Sequence, residues 1–345
     1  MERRIERGGY AVVLSDPVLY VDNEARRRSG HMTHALAEFA PGCLIDFNAN
    51  SSAELYDGHS TNGWVEYRIS RDGGETFGAP RDLPYSVRQF EEGVHTISVE
   101  KAVGCGGRIT AFCLRNTFGA LCTPWDTPTF VTSDDGGESW SEPAELTPYA
   151  GRVYDAVCED GVIYVLEFCN SGFLGTSDEH RYRLFVSRDR GESFKERCVV
   201  PLPTENRGYG ALLFDAQGKL HAYAYNEQDE KHMDHVVSPD GGITWGAPET
   251  CFLEKGIRNP QLAVIDGVYV LHGRCIGGFF VLYTSRDPGV WDEGYYMAQK
   301  PGFCYYSDNV VLRDGDGKNR LLIQYSDTYK GSCVNVRHMW LRVEQ

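Results

Sequence analysis

The sequence predicts an all-β fold, a six-bladed β-propeller of four-stranded blades, occupying residues 1–345 as one domain. Three observations predict it. A short turn phrase recurs along the chain, its spacing suits one propeller blade, and the stretches between copies read as short strands rather than as helices.

The phrase first stands at Ser70-Arg71-Asp72-Gly73-Gly74-Glu75-Thr76-Phe77 and returns, with substitutions, from Ser133 to Trp140, Ser187 to Phe194 and Ser238 to Trp245. A shortened copy runs from Ser285 to Trp291. The pattern, Ser-x-Asp-x-Gly-x-Ser/Thr-aromatic, resembles the Asp-box repeat. Its chemistry is that of a tight turn: the carboxylate accepts turn amides, a glycine takes positive φ and the aromatic packs into the blade. Asp72, Asp135, Asp189, Asp240 and Asp287 are therefore read as structural.

The copies start about 54 residues apart, a length that suits four strands, and 345 residues divide into about six such units. Between copies, Val162-Ile163-Tyr164-Val165-Leu166 and Val268-Tyr269-Val270-Leu271 are β-branched and aromatic runs preceded by Asp-Gly turns, so each belongs to a hairpin. No long segment carries a helical period, and no Pro/Ser-rich linker divides the chain. The sixth blade lacks a clear turn phrase. Pairing Tyr10–Leu14 with Met339–Val343 would close it and remove the free sheet edges.

Composition narrows the function. The formal charge is −15, which disfavours nucleic acid because phosphate recognition requires clustered cations. No stretch reaches the roughly 18 apolar residues of a membrane span, and Met1–Arg7 has no apolar signal core behind it, so the expectation is a cytoplasmic protein without membrane partners. The eleven cysteines form no Cys-x-x-Cys pair and sit mostly among apolar neighbours, as reduced thiols would. His31, His34 and His95 match no metal-ligand spacing, so neither metal nor cofactor is expected. A small-molecule or glycan substrate remains; oligomeric state is not encoded in any readable pattern.

In a propeller, residues entering the innermost strand and leaving its partner converge on one face. Entering positions carry His31 and His34, Glu92 and His95, then Arg152, Tyr154 and Asp155. Arg207 and Tyr209, Arg258 and Asn259, and Tyr305, Tyr306 and Asp308 follow in the later blades. Leaving positions carry Asn48, Asn50, Arg115, Glu167, Glu227, Arg274 and Tyr325. The mixture of arginines, carboxylates, tyrosines and histidines suits a polar pocket better than a core, and Trp64 and Trp125 are read as exposed stacking surfaces for a sugar. The segment Asn116–Pro128 reads as a loop shaping the rim.

Asp-boxes, six blades and the phrase Tyr306-Ser307-Asp308 opening the last blade together resemble the sialidases. The resemblance implies a glycoside hydrolase with Tyr306 as nucleophile and Arg274 as one arm of an arginine clamp for a sugar carboxylate. Arg258, Arg115 and Arg207, with His34 and His95, are further candidates for substrate binding. A neutral tyrosine suits such a substrate because a carboxylate nucleophile would be repelled by the sugar's own carboxylate. The sialidase Arg-Ile-Pro motif is replaced here by Gly30-His31-Met32, and Glu227 is the acid nearest the place of the nucleophile's partner. A pair of carboxylates drawn from Glu92, Asp155, Glu167, Glu227 and Asp308 would serve a different sugar. A noncatalytic propeller binding a glycan or a protein on the same face is the reading from another class.

Overall fold

A computed structural model of the chain describes all residues except 1, 31–32, 57–61, 119–122, 171, 173–179, 299–304 and 314–317. Six antiparallel sheets follow one another around an axis, so the chain is a six-bladed β-propeller. Blades two to five are four-stranded meanders, with inner strands His95–Cys105, Gly151–Glu159, Arg207–Phe214 and Arg258–Ile265. Blade one, whose inner strand is His34–Ala40, and blade six, whose inner strand is Ser307–Arg313, each gain extra strands at the margin. The amino-terminal strand Tyr10–Leu14 pairs with the carboxy-terminal strand, Val12 opposite Val343 and Leu14 opposite Leu341, as expected for ring closure.

The expected turns form with one bonding scheme. Ser133 Oγ accepts the Gly137 amide at 2.9 Å and donates to Asp135 at 2.8 Å, while Asp135 accepts the amides of Glu138 and Ser139 at 3.0 and 2.9 Å. Asp72, Asp189 and Asp240 repeat the arrangement with Thr76, Ser193 and Thr244. The shortened copy keeps only the Ser285–Asp287–Gly289 bonds, at 2.9 and 2.8 Å. The glycine at the fifth position of each full copy has positive φ and also packs against the preceding blade. A Cβ on Gly242 would lie 2.3 Å from Leu184, and one on Gly74 3.1 Å from Leu322, so the turn fixes both a hairpin and the seam beside it.

Apolar residues fill the seams between blades, which explains why the strands are short runs with both faces buried. Leu166, Phe168, Tyr182 and Leu184 of blade three pack with Leu212, Ala222 and Ala224 of blade four. Val12, Leu14, Ile265, Val270, Leu321 and Met339 join blades five and six. The nine described cysteines are all free thiols.

At the axis, one ammonium connects every blade. Lys101 Nζ of blade two lies 2.5 Å from Asp308 of blade six, 3.2 Å from Asp155 of blade three and 2.8 Å from the Gln261 side chain of blade five. The second oxygens of the two aspartates accept the amides of Leu36 in blade one, at 3.0 Å, and Leu212 in blade four, at 2.7 Å. Burial alone would favour the neutral amine, but Asp155 and Asp308 outweigh it and hold Lys101 above its ordinary pKa.

Among the described residues, two helices interrupt the strands where the sequence predicts none. Asn23–Arg26 is a single turn, whereas Pro84–Glu92 begins on a proline that suits a first helical turn and buries Tyr85 and Ser86 against blades one and two.

The turn bonding generates a prediction. Ser133→Ala leaves the buried Gly137 amide without its acceptor and should lower unfolding free energy by about 1–3 kcal/mol in denaturant titration, with ligand binding unchanged in the folded protein. An unshifted midpoint would contradict the structural role of the turn.

Candidate functional site

Where the inner strands begin, Glu100, Arg152, Tyr154, Tyr209 and Tyr306 lie together, and His34 and Asn259 stand buried at the starts of the inner strands of blades one and five, completing an axial ring of polar residues. Bulges aim several of them. In blade two Val99 faces Cys113 and Lys101 faces Phe112, so Glu100 is the extra residue; blade three accommodates Tyr154 in the same way. Blades four and five carry their bulges at Gly208–Tyr209 and Asn259–Pro260, with Asn259 at φ 56°. A bulge adds one residue and turns the following side chains to the other face, which brings polar groups to the axis without ending the strand.

The Tyr306 and Tyr209 hydroxyls lie 2.6 Å apart. The Arg152 guanidinium stands 5.3 Å from the Tyr209 ring centre and 5.3 Å from that of Tyr154, and Arg274 stands 6.0 Å from the Tyr306 ring. Burial, reinforced by Tyr209, raises the Tyr306 hydroxyl well above the ordinary phenol range against the pull of Arg274 and Arg152. Arg152 is buried and bonds one oxygen of Glu100 at 2.6 Å, whereas the other oxygen has no partner among the described residues. Burial pushes the Glu100 carboxyl up to about 7, although Arg152 opposes the shift. His34 is buried with both ring nitrogens unpartnered among the described residues, and burial pushes it down to about 3, so the ring is neutral.

Beside the ring, between blades four and five, opens a cavity of about 450 Å³ lined by Glu227, Glu230, Arg258, Arg274, Cys275 and Gly278, among others. Arg258 lies 3.1 Å from Glu230 and 3.6 Å from Glu227, and donates to the Tyr225 hydroxyl at 2.9 Å. Glu227 thus faces Arg258, and the hydroxyl bonded to Tyr306 is Tyr209's.

The remaining sequence candidates fall elsewhere. Asp155 and Asp308 belong to the axial lysine cluster. Glu92 ends the Pro84–Glu92 helix, exposed, with Gln89 as partner at 3.2 Å, because that helix rather than the inner strand occupies its position. Glu167 is buried on the second strand of blade three, where burial pushes it up to about 8 beside Cys169 and Thr147. Arg115 reaches Asp126 at 3.1 Å and His95 reaches the same carboxylate at 3.6 Å, forming a group at the rim of blade two. Arg207 is ion-paired with Asp234. His31 lies outside the described residues. Trp125, expected as an exposed stacking surface, is 3% exposed and packs against Tyr154 and Phe168. Trp64 is half-buried, and its indole donates to Asp82 at 2.6 Å.

Sequence reasoning missed Glu100 altogether. It interrupts the alternation of Ile97-Ser98-Val99, and the run Val99-Glu100-Lys101 is the one signal that could have revealed a bulge.

No protein-family profile matches the sequence, and no curated protein resembles it in sequence. Solved structures do resemble it in fold. The NanB sialidase from Streptococcus pneumoniae superposes with a TM-score of 0.65 at 11% identity, over 95% of this chain and 70% of that one. A protein of unknown function from Dyadobacter fermentans superposes with a TM-score of 0.69 at 14% identity, over 96% of this chain and 99% of that one. The leech intramolecular trans-sialidase in complex with 2,7-anhydro-Neu5Ac gives 0.64 at 12% identity, over 93% and 69%. At these identities the likeness is one of architecture: a sialidase-like propeller fold.

The buried Glu167 gives a pH-dependent prediction. Its folded pKa of about 8 stands above the ordinary 4.5, so the native state keeps a proton that the unfolded chain has lost, and stability falls as pH rises through that window. Glu167→Gln should shrink the loss of urea midpoint between about pH 5 and about pH 8. An undiminished loss would show that this carboxyl titrates normally.

Proposed function

We propose that the chain is an exo-acting glycoside hydrolase that receives a terminal sugar of a glycan at the axial ring, with Tyr306 meeting the anomeric carbon. The observation that carries this reading is the Tyr306 hydroxyl itself, held 2.6 Å from Tyr209 at the start of blade six, with Arg274 over its ring. The likeness of fold to sialidases supports it. In the first half of the reaction the glycosidic C–O bond breaks, a bond from the anomeric carbon to the Tyr306 oxygen forms, and one proton passes in net from the phenol to the leaving oxygen. Water then reverses these steps and releases the sugar. Glu100 is the group suited to carry the proton, because a carboxyl with a pKa of about 7 exchanges it readily near neutrality. Arg274 and Arg258 orient the sugar through guanidinium N–H groups, and the Arg152 charge favours the phenolate as it develops.

A second reading, a propeller that binds a glycan without cleaving it, is favoured by one particular feature. The Tyr306 hydroxyl is bonded to another phenol where a carboxylate would withdraw its proton more strongly.

Two measurements test the first reading. Tyr306→Phe should abolish turnover of chromogenic exo-glycosides, while calorimetric binding persists and the melting temperature moves by only a few degrees; full activity in this variant would remove Tyr306 from the reaction. The pH profile of kcat/KM should bend near about pH 7, and Glu100→Gln should abolish that bend. A bend that survives the substitution would assign proton transfer to another group.

A further inference from the structure

We infer that the sugar accepted by this site is uncharged; the inference rests on the glycosidase reading and narrows its substrate class. A site for a carboxylated sugar requires cationic groups with charge to spare. Here the charges are already balanced. The cavity between blades four and five is lined by three cationic side chains, Lys231, Arg258 and Arg274, and by three anionic ones, Glu227, Asp229 and Glu230. Arg258 sits within 3.1 Å of Glu230 and 3.6 Å of Glu227, and the Arg274 charge acts on Glu230 as well. On the axis, Arg152 is bonded to Glu100, and Lys101 is shared by two aspartates. An incoming carboxylate would have to displace one of these anions or lie beside it, within a chain whose net charge is already −15.

The groups without partners point the same way. Among the described residues, the His34 ring nitrogens, both amide atoms of Asn259, the Tyr154 hydroxyl, one Glu100 oxygen and Arg258 Nε, which sits in ion-pair range of Glu230, are buried with no hydrogen-bond partner. All five residues belong to inner strands. Buried polar atoms call for partners, and this set is mostly a mixture of neutral donors and acceptors, its one cationic donor being already paired in charge with Glu230. Sugar hydroxyls, each donor and acceptor at once, match such a set. A carboxylate, which only accepts, would meet the acceptor atoms of Asn259 and Glu100.

The test is a panel of 4-methylumbelliferyl glycosides: β-galactoside, β-glucoside, α-fucoside and N-acetyl-β-glucosaminide as uncharged members, N-acetylneuraminide and β-glucuronide as carboxylated ones. Calorimetry with the corresponding free sugars runs alongside. Turnover of an uncharged member at least about 100-fold above either carboxylated one is expected. Asn259→Gly keeps the left-handed backbone and should weaken binding of the preferred sugar about tenfold. Preferred turnover of the neuraminide or glucuronide would overturn the uncharged class while leaving hydrolysis standing. Saturable binding of an uncharged sugar without turnover of any member would do the reverse. Binding of carboxylated sugars alone, or of none, would overturn the inference.

Discussion

A single buried ammonium ties the six inner strands together at the axis. A propeller is a ring of sheets whose inner strands meet side by side without pairing, so its axis lacks the backbone ladder that holds each blade together. Lys101 substitutes for that ladder: through Asp155, Asp308 and Gln261, and through the Leu36 and Leu212 amides that the aspartates accept, it links the inner strands of all six blades. Removing one cation and two carboxylates from water costs several kcal/mol per ion, and the compensation comes from short contacts and from amides that satisfy the remaining oxygens. Such a cluster adds little net stability over an apolar plug, yet it defines the height and rotation of each inner strand. The inner strands that it links also carry Glu100, Arg152, Tyr209 and Asn259.

Local features of the sequence carried most of the fold. The turn phrases, the Asp-Gly hairpins and the closing strands are each written in contiguous residues, and the structure forms them with the bonds their side chains require. The site was less legible, for two physical reasons. Bulges at Glu100, Tyr154, Tyr209 and Asn259 shift side-chain alternation midway along the inner strands, so counting from a strand's start selects the wrong face. The helix Pro84–Glu92 moves the entry to blade two, which carries Glu92 out to solvent and leaves His95 with Arg115 at the rim. The lysine cluster leaves no local trace whatever, because its members come together only when the ring closes.

Electrostatics separates this site from its architecture. The fold is sialidase-like, and a tyrosine opens the last blade as the resemblance implies, but the hydroxyl bonded to Tyr306 is a phenol, and the arginines around it are engaged by Glu100, Glu227 and Glu230. Charge compensation as well as residue type sets the field at such a site: an arginine already ion-paired with glutamate remains a directional hydrogen-bond donor with little net field.

Amide hydrogen exchange in Lys101→Met tests the axial claim most directly, since the substitution keeps the stem and deletes the charge. The account predicts that Leu36 and Leu212 lose protection although Lys101 touches neither, because Asp308 and Asp155 would no longer be held in place to accept their amides. Loss of protection confined to blade two, with Leu36 and Leu212 unchanged, would contradict the claim that this one ammonium sets the six inner strands.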